Sequence, residues 1–423
     1  MPYILGLNSG SSFDGVDAVL CTIHLAEDGH PSRPVYVDGL TVDWPEALQK
    51  QVLKAFNNEL SIFDLTRLNY AAGAVYAEAA NALLERNSLR SEDIEVLGYD
   101  GQTIYQEPPT HSLMKEYSSS GNSSLVDRWT KAGFPCGLFI VESGVVAALT
   151  QITTVTQFRP VDHALGGSAA PLMQYLDFVS FRDIAPIATL NIGGIANVQL
   201  ADKDRRNMMA FDTGPGNVLL DHIINKRLGK SYDKNGETAA KGKIIPQLYK
   251  RLLGHPFLKR EPPRSAWRLD FGAQFADGIL GEFHEASTED LLATASLFTA
   301  ECIRIAMVDI VMKKTPQVKT LIASGGGTRN LNLLNTITEL LAKHGVSVVV
   351  SEEYGLPAAF KEAIKFATLA FATKHQLANN IPAAGGASSY AILGKLTYAP
   401  RLARNAGPLP EAKVWANGVA KEH

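Results

Sequence analysis

The sequence predicts an α/β protein of two domains with a ligand cleft between them. Three observations carry this. The chain has 423 residues, beyond the size at which one hydrophobic core usually stops growing, so two domains are the natural division. Strand-like and helix-like periodicities alternate along it. Each half also opens in the same way, with a strand, a glycine turn and a second strand: residues 3–7 and 16–23 flank the first turn, and residues 188–198 form two short pieces about Gly193-Gly194.

The apolar run at 3–7 delivers the turn Gly10-Ser11-Ser12-Phe13-Asp14-Gly15, and Val16 and Asp17 begin the returning strand. Such a turn offers backbone N–H groups and hydroxyls with an acid at its far end, which suits a phosphate and its metal. Residues 45–57 and 62–87 carry apolar side chains at helical spacing, and 96–99 reads as a buried strand ending in Asp100-Gly101-Gln102-Thr103. The Pro- and Ser-rich stretch 107–122 reads as a surface insertion. A strand at 153–158 leads to Arg159-Pro160-Val161-Asp162, and a helix is expected over 169–178. In the second half, helices are expected at 218–228, 246–253 and 291–312, strands at 319–323 and 347–350, and an extended tail after Tyr398.

Two further loops follow strand-like runs: Phe211-Asp212-Thr213-Gly214-Pro215-Gly216-Asn217, and Ser324-Gly325-Gly326-Gly327-Thr328-Arg329-Asn330. Glycines allow close backbone approach, while Asp212 supplies a carboxylate and Thr213 a hydroxyl. Together the three loops read as a split nucleotide site. Composition narrows the partners: a hydrophobic fraction of 46%, a charged fraction of 20% and a net charge of -3 describe a folded soluble protein with no field for nucleic acid. The N-terminus lacks a basic leader, and the uncharged stretch 143–157 is short and contains Thr and Gln, so neither secretion nor a membrane span is expected. Cys21, Cys136 and Cys302 are widely spaced and in no C-x-x-C pattern, which favours a reducing, cytoplasmic setting with the thiols packed in the core. Neither H-E-x-x-H nor G-x-S-x-G occurs.

These residues resemble the anhydro-N-acetylmuramic acid kinases and the related levoglucosan kinases, members of the actin-like, hexokinase-like ATPase superfamily. The likeness runs in family order from about residue 3 to residue 396: residues 8–17, Gly101-Gln102-Thr103, Arg159 with Asp162, Asn191 to Asn197, Phe211 to Asn217, Pro262-Pro263, Gly325 to Gly327 with Asn330, and Lys361-Glu362-Ala363. On the sugar side the chain departs from the pattern. Asp100 stands for the family's His, Ser168-Ala169 interrupts its G-G-Q-G-A-P-L, and Arg264-Ser265-Ala266-Trp267 replaces its K-S-T-G. The resemblance implies a two-domain actin-like (ribonuclease H-like) fold, with residues 1–183 and a returning segment 386–400 in one domain, 184–385 in the other, and 401–423 as a tail.

The same resemblance implies a kinase that uses ATP and Mg2+, opens a 1,6-anhydrosugar with water and phosphorylates the freed O6. Asp212 is the implied base, with the alternative that it merely turns the chain or caps the next helix. The implied nucleotide contacts are Gly10, Ser11, Ser12, Phe13, Asp14, Gly15, Val16 and Asp17, then Asn191, Gly193 and Gly194, then Thr213, Gly214, Gly216 and Asn217, and finally Gly325, Gly326, Gly327 and Asn330. Arg159, Asp162 and Gln102 are implied at the sugar, with a local Arg159–Asp162 salt bridge as the alternative. Asp14 and Glu362 are implied at the metal, and Glu362 is equally readable as a solvated helix position beside a lysine. Trp267 is readable as a sugar-stacking or a packing residue. A conventional sugar kinase and a nucleotide-binding regulator without turnover remain alternatives, and a homodimer is an expectation by resemblance alone.

Overall fold

The computed structural model describes residues 2–10, 15–119, 121, 124–170, 172–262, 264–266 and 268–403. Two sheets organise it. In the first, β1 (Tyr3–Asn8), β2 (Gly15–Thr22) and β3 (Val35–Asp43) form an antiparallel meander. On the other side of β1 lies β4 (Ile94–Gly98), parallel to it, followed by β7 (Thr154–Thr156), parallel to β4, and β13 (Lys395–Thr397), antiparallel to β7. In the second sheet, β8 (Ile187–Ile192), β9 (Ile195–Ala201) and β10 (Met209–Pro215) repeat the meander, with β11 (Thr320–Ser324) parallel to β8 and β12 (Ser347–Val350) parallel to β11. Both sheets therefore run third, second, first, fourth, fifth strand, with the same senses. This is the ribonuclease H-like plan used twice, the actin-like ATPase fold. A separate hairpin of β5 (Gln102–Glu107) and β6 (Cys136–Ile140) projects from the first half.

Helices cover the sheets for reasons visible in their residues. The helix Ile62–Arg86 starts where Ser61 Oγ accepts from Asp64 N, and its alanine-rich face, including Ala72, Ala79 and Ala80, is buried. The helix Lys361–Lys374 packs on the first sheet, against β1 and β4. Close approach there depends on two strand glycines: a Cβ on Gly6 would lie 2.1 Å from Ala363 O, and one on Gly98 2.3 Å from Phe366 O. The stretch Thr288–Lys314 is long and apolar enough to cross a membrane by length and composition, but 72% of its most apolar 18-residue window is buried inside the protein, as a core helix would be.

At three places the structure departs from the sequence reading or adds to it. The insertion 107–122 holds a helix, His111–Ser119, because a run of helix formers outweighs the flanking prolines and serines. The edge strand β3 has no clean apolar alternation and is fixed by its pairing to β2. Cys21 and Cys302 are buried as expected, but Cys136 sits exposed on the projecting hairpin, its Sγ 3.6 Å from Glu107 Oε2. The tail from 404 onward lies outside the described residues.

Candidate active site

A cleft of about 690 Å³ opens between the halves. Its first wall comes from Phe56, the β5 residues Thr103 to Gln106, Arg159, and Glu362 and Lys365 on the first turns of the helix Lys361–Lys374. Its second wall comes from Asn197, Asp212, Ser265 and Ala266.

Asp212 lies on β10 directly opposite Asn197 on β9. Its backbone is gripped by Arg264: Asp212 N donates to Arg264 O at 3.0 Å, and Arg264 Nε donates to Asp212 O at 3.0 Å. Ala266 N donates to Asp212 Oδ2 at 2.7 Å, which leaves Oδ1 for other work. Burial raises the Asp212 carboxyl to about 6, against the opposing pull of the Ala266 N–H and the Arg264 charge. Asp212 does not cap the following helix, Val218–Leu228; Asn217 occupies that position. A carboxylate of this kind in a cleft is suited to accept a proton near neutral pH.

Arg159 does not pair with Asp162. Its Nε donates to Asp100 Oδ2 at 2.5 Å, one Nη donates to Ala169 O at 2.6 Å, and the guanidinium lies 4.8 Å from the Phe139 ring centre. Asp100 also accepts from Phe158 N at 2.9 Å, so the acid that stands for the family's His holds Arg159 in place. Asp162 does not line this cleft but a separate small cavity, where Ala169 N and the Asn380 side-chain Nδ2 donate to it at 2.9 and 3.2 Å, and burial raises its carboxyl. Gln102 is buried at the start of β5, with Oε1 unpartnered among the described residues. Glu362 is exposed at the cleft, 3.7 Å from Lys365 Nζ.

The second and third glycine segments meet at a second cavity, of about 440 Å³, lined by Asn217, Leu220, Asp221, Tyr232 to Asn235, Gly326, Arg329 and Asn330. Gly326 has open space where a Cβ would be, while Gly216, Gly325 and Gly327 press on the 191–193 backbone and side chains. Gly216 N donates to Gly194 O and Asn217 N to Gly193 O, which joins the second loop to the β8–β9 turn. Thr213 is fully buried and donates to Ala196 O; Gly214, at φ +152°, fits against Cys302. Asn191 lies against Gly325, and Asn330 Oδ1 caps the helix Leu331–Ala342 by accepting from Leu333 N at 3.0 Å. In the first loop, Gly10, Gly15, Val16 and Asp17 are described, and Asp17 Oδ1 accepts from Thr41 Oγ1 at 2.6 Å. Ser11, Ser12, Phe13, Asp14 and Trp267 lie outside the described residues. Among the described residues no three His, Cys, Asp or Glu side chains gather as a metal site.

The family model for anhydro-N-acetylmuramic acid kinase matches residues 2–399. The chain belongs to that family. It is a sugar kinase. Curated relatives agree along the whole length: the anhydro-N-acetylmuramic acid kinase of Bacillus cereus (strain AH820) is 32% identical over 94% of this chain and 100% of its own. That of Francisella tularensis subsp. novicida is 35% identical over 94% and 98%. Among solved structures, component A of the Acidaminococcus fermentans (R)-2-hydroxyglutaryl-CoA dehydratase superposes with a TM-score of 0.40 at 14% identity, covering 88% of this chain and 98% of that one.

Within this kinase's site, four residues escaped sequence reasoning. Asn197 was visible only as the end of a motif, and its place opposite Asp212 needs the strand register. Lys365 is buried at the cleft wall; the signal was its spacing of four from Lys361 amid apolar neighbours, which puts two lysines on one inward face. Gln106 reaches the site because its Oε1 accepts from an Arg159 Nη at 3.4 Å. Asp221, raised to about 6 by burial, lines the second cavity from the first turn of Val218–Leu228.

Proposed function

We propose that this kinase uses Mg-ATP to phosphorylate a 1,6-anhydrosugar at O6 while water opens the anhydro bridge, as an anhydro-N-acetylmuramic acid kinase or a levoglucosan-type kinase would. The observation that carries the proposal is Asp212. It has one oxygen fixed by Ala266 N and the other free, its carboxyl sits near 6, and it faces Arg159 and Lys365 across the cleft. Free Oδ1 takes a proton from water as the water oxygen bonds to the anomeric carbon. The bridging C–O bond breaks, and the freed O6 accepts the γ-phosphoryl group as ADP leaves. Arg159, held by Asp100, donates to sugar oxygens on the opposite wall.

The residues fit the nucleotide: the cavity beside Gly326 is open to a purine and ribose, and the Gly193-Gly194 turn, with no side chains of its own, allows close backbone approach to phosphates. Asn191, Thr213 and Asn330 serve there by shaping the loops. Mg2+ usually takes one or two carboxylates plus phosphate oxygens, which suits Glu362 at the cleft together with Asp14 of the first loop. The metal would supply charge neutralisation on the phosphates. We assign the two sheets with their helices to two domains, and place the enzyme in the cytoplasm on account of its three free thiols.

Coupled ADP release with Mg-ATP, across 1,6-anhydro-N-acetylmuramic acid, levoglucosan and ordinary hexoses, tests this. The expected product is heavier than its anhydrosugar by both phosphate and water. A hexose product gaining phosphate alone would mark a conventional kinase, and ATP binding without sugar turnover would mark a regulator.

A further inference from the structure

A buried chain of polar side chains runs from the helix Lys361–Lys374 to the cleft beside Asp212. Lys361 Nζ lies 3.4 Å from Asp177 Oδ1 and donates to Ser324 Oγ at 3.4 Å. Thr189 Oγ1 on β8 lies 2.6 Å from Asp177 Oδ2 and 2.7 Å from the amide of Gln199 on β9. The far end of the Gln199 amide lies 2.6 Å from the Asn197 amide. Lys361, Asp177, Thr189 and Gln199 are each at most 2% exposed, so the chain is shielded from bulk solvent.

Counting protons fixes the direction of this chain. The Thr189 hydroxyl carries one proton, and Asp177, ion-paired to Lys361, only accepts. Thr189 therefore donates to Asp177 and must accept from Gln199. An orientation with Gln199 Oε1 toward Thr189 leaves Thr189 with two acceptors and one proton. Amide nitrogen and oxygen are alike in shape and are assigned from their partners. With Gln199 turned, Nε2 donates to Thr189 and Oε1 faces Asn197, which must then supply Nδ2. The end of Asn197 left for the cleft is its carbonyl oxygen, and that end has no hydrogen-bond partner among the described residues.

We propose that Asn197 orients the nucleophile: its carbonyl oxygen accepts one hydrogen of the attacking water while Asp212 removes the other. The inference rests on the ring-opening reading above. Directly opposed residues of an antiparallel pair project on the same face, so Asn197 and Asp212 present two acceptors side by side. Water has two hydrogens to give them; a sugar hydroxyl or an alcohol has one. With both hydrogens held, a lone pair of the oxygen is aimed at the anomeric carbon. After attack, one hydrogen has gone to Asp212 and the other remains on the new anomeric hydroxyl. Lys361, Asp177, Thr189 and Gln199 are positioning residues that keep the Asn197 amide in this sense.

The test partitions the reaction between water and methanol. Wild type and Asn197→Leu are run with Mg-ATP, an anhydrosugar and a fixed methanol fraction, and the sugar phosphate and its methyl glycoside are separated by mass. Wild type is expected to favour water. In Asn197→Leu, kcat should fall about tenfold, the worth of one good hydrogen bond, with KM for ATP unchanged, and the methyl glycoside share should rise about as much. Because the share is a ratio of products, a partly unfolded population does not move it. Thr189→Val, remote from the cleft, should raise the share to a smaller degree. An unchanged share in Asn197→Leu overturns the proposal. A wild-type product that has gained phosphate with neither water nor methanol overturns the ring-opening reading itself, and the proposal with it.

Discussion

Asp212 has opposite effects on stability and chemistry. Its folded carboxyl sits near 6 because burial disfavours the charge, whereas in the unfolded chain it returns to an ordinary value of about 3.9. Between these values the folded state holds a proton that the unfolded state has released, so stability falls as pH rises through that window. At neutral pH the folded protein carries a buried charge that the proposed chemistry requires and packing does not. Asp212→Asn is therefore expected to lower kcat by about 10²–10⁴-fold, the usual worth of a general base, with ATP affinity intact. It should also stabilise the fold at neutral pH by about 1–2 kcal/mol, since the shift is about two pK units and the Ala266 N–H bond survives. Calorimetry beside steady-state kinetics checks both, and unchanged turnover would remove Asp212 from the mechanism. In the wild type, kcat should decline with an acid limb near pH 6, because only the ionised form accepts the proton.

At the scale of elements, the helix Lys361–Lys374 shows what a sequence reveals and what it withholds. The glycine turn at 325–327, the two opening hairpins and the strands at 319–323 and 347–350 were legible because turn chemistry and apolar runs are local signals, whereas Phe211 to Pro215, read as a loop, continue the strand β10 through pairing with β9. That this helix lies on the first sheet was not, since it depends on Gly6 and Gly98, more than 260 residues away along the chain. The same limit hid Asn197 and Lys365, and it hid the partners of Asp162, Ala169 N and Asn380 Nδ2. The packing gives a prediction. A Cβ on Gly98 would lie 2.3 Å from Phe366 O and 2.4 Å from Ala370 Cβ, and a backbone oxygen yields only if the helix moves. Gly98→Ala should cost about 1–3 kcal/mol in urea unfolding and also lower kcat/KM, because Glu362 and Lys365 ride on that helix. Gly281→Ala is the control: nothing lies within 4 Å of its Cβ position in the helix Ala273–Glu282, so it should gain up to about 1 kcal/mol. Equal losses in the two variants would show that the helix–sheet fit is not tight.

On the scale of the whole molecule, the cleft walls belong to different halves, yet the halves are joined at their base. One continuous core takes in Ile4, Val96 and Val155 from the first sheet, Ile187, Ala201 and Ile322 from the second, and Ala363 to Ala372 of the helix between them. Such a core resists shear and leaves rocking of the mouth as the accessible motion. If Asp212 activates water as proposed, bulk water must be kept from the γ-phosphate. The chemistry is therefore expected to await closure, which needs a ligand touching both walls: in the proposed reaction the sugar would meet Arg159 on one side and Asp212 on the other. Small-angle scattering with a non-hydrolysable ATP analogue, with anhydrosugar, and with both should show the smallest radius of gyration for the ternary complex. ATP hydrolysis without sugar should run at least about 10²-fold below kcat. If the protein is equally compact in all three states while sugar-free hydrolysis stays slow, water is excluded by the static cleft and closure plays no part. If hydrolysis without sugar approaches kcat, neither device protects the nucleotide, and the two walls act as independent binding surfaces.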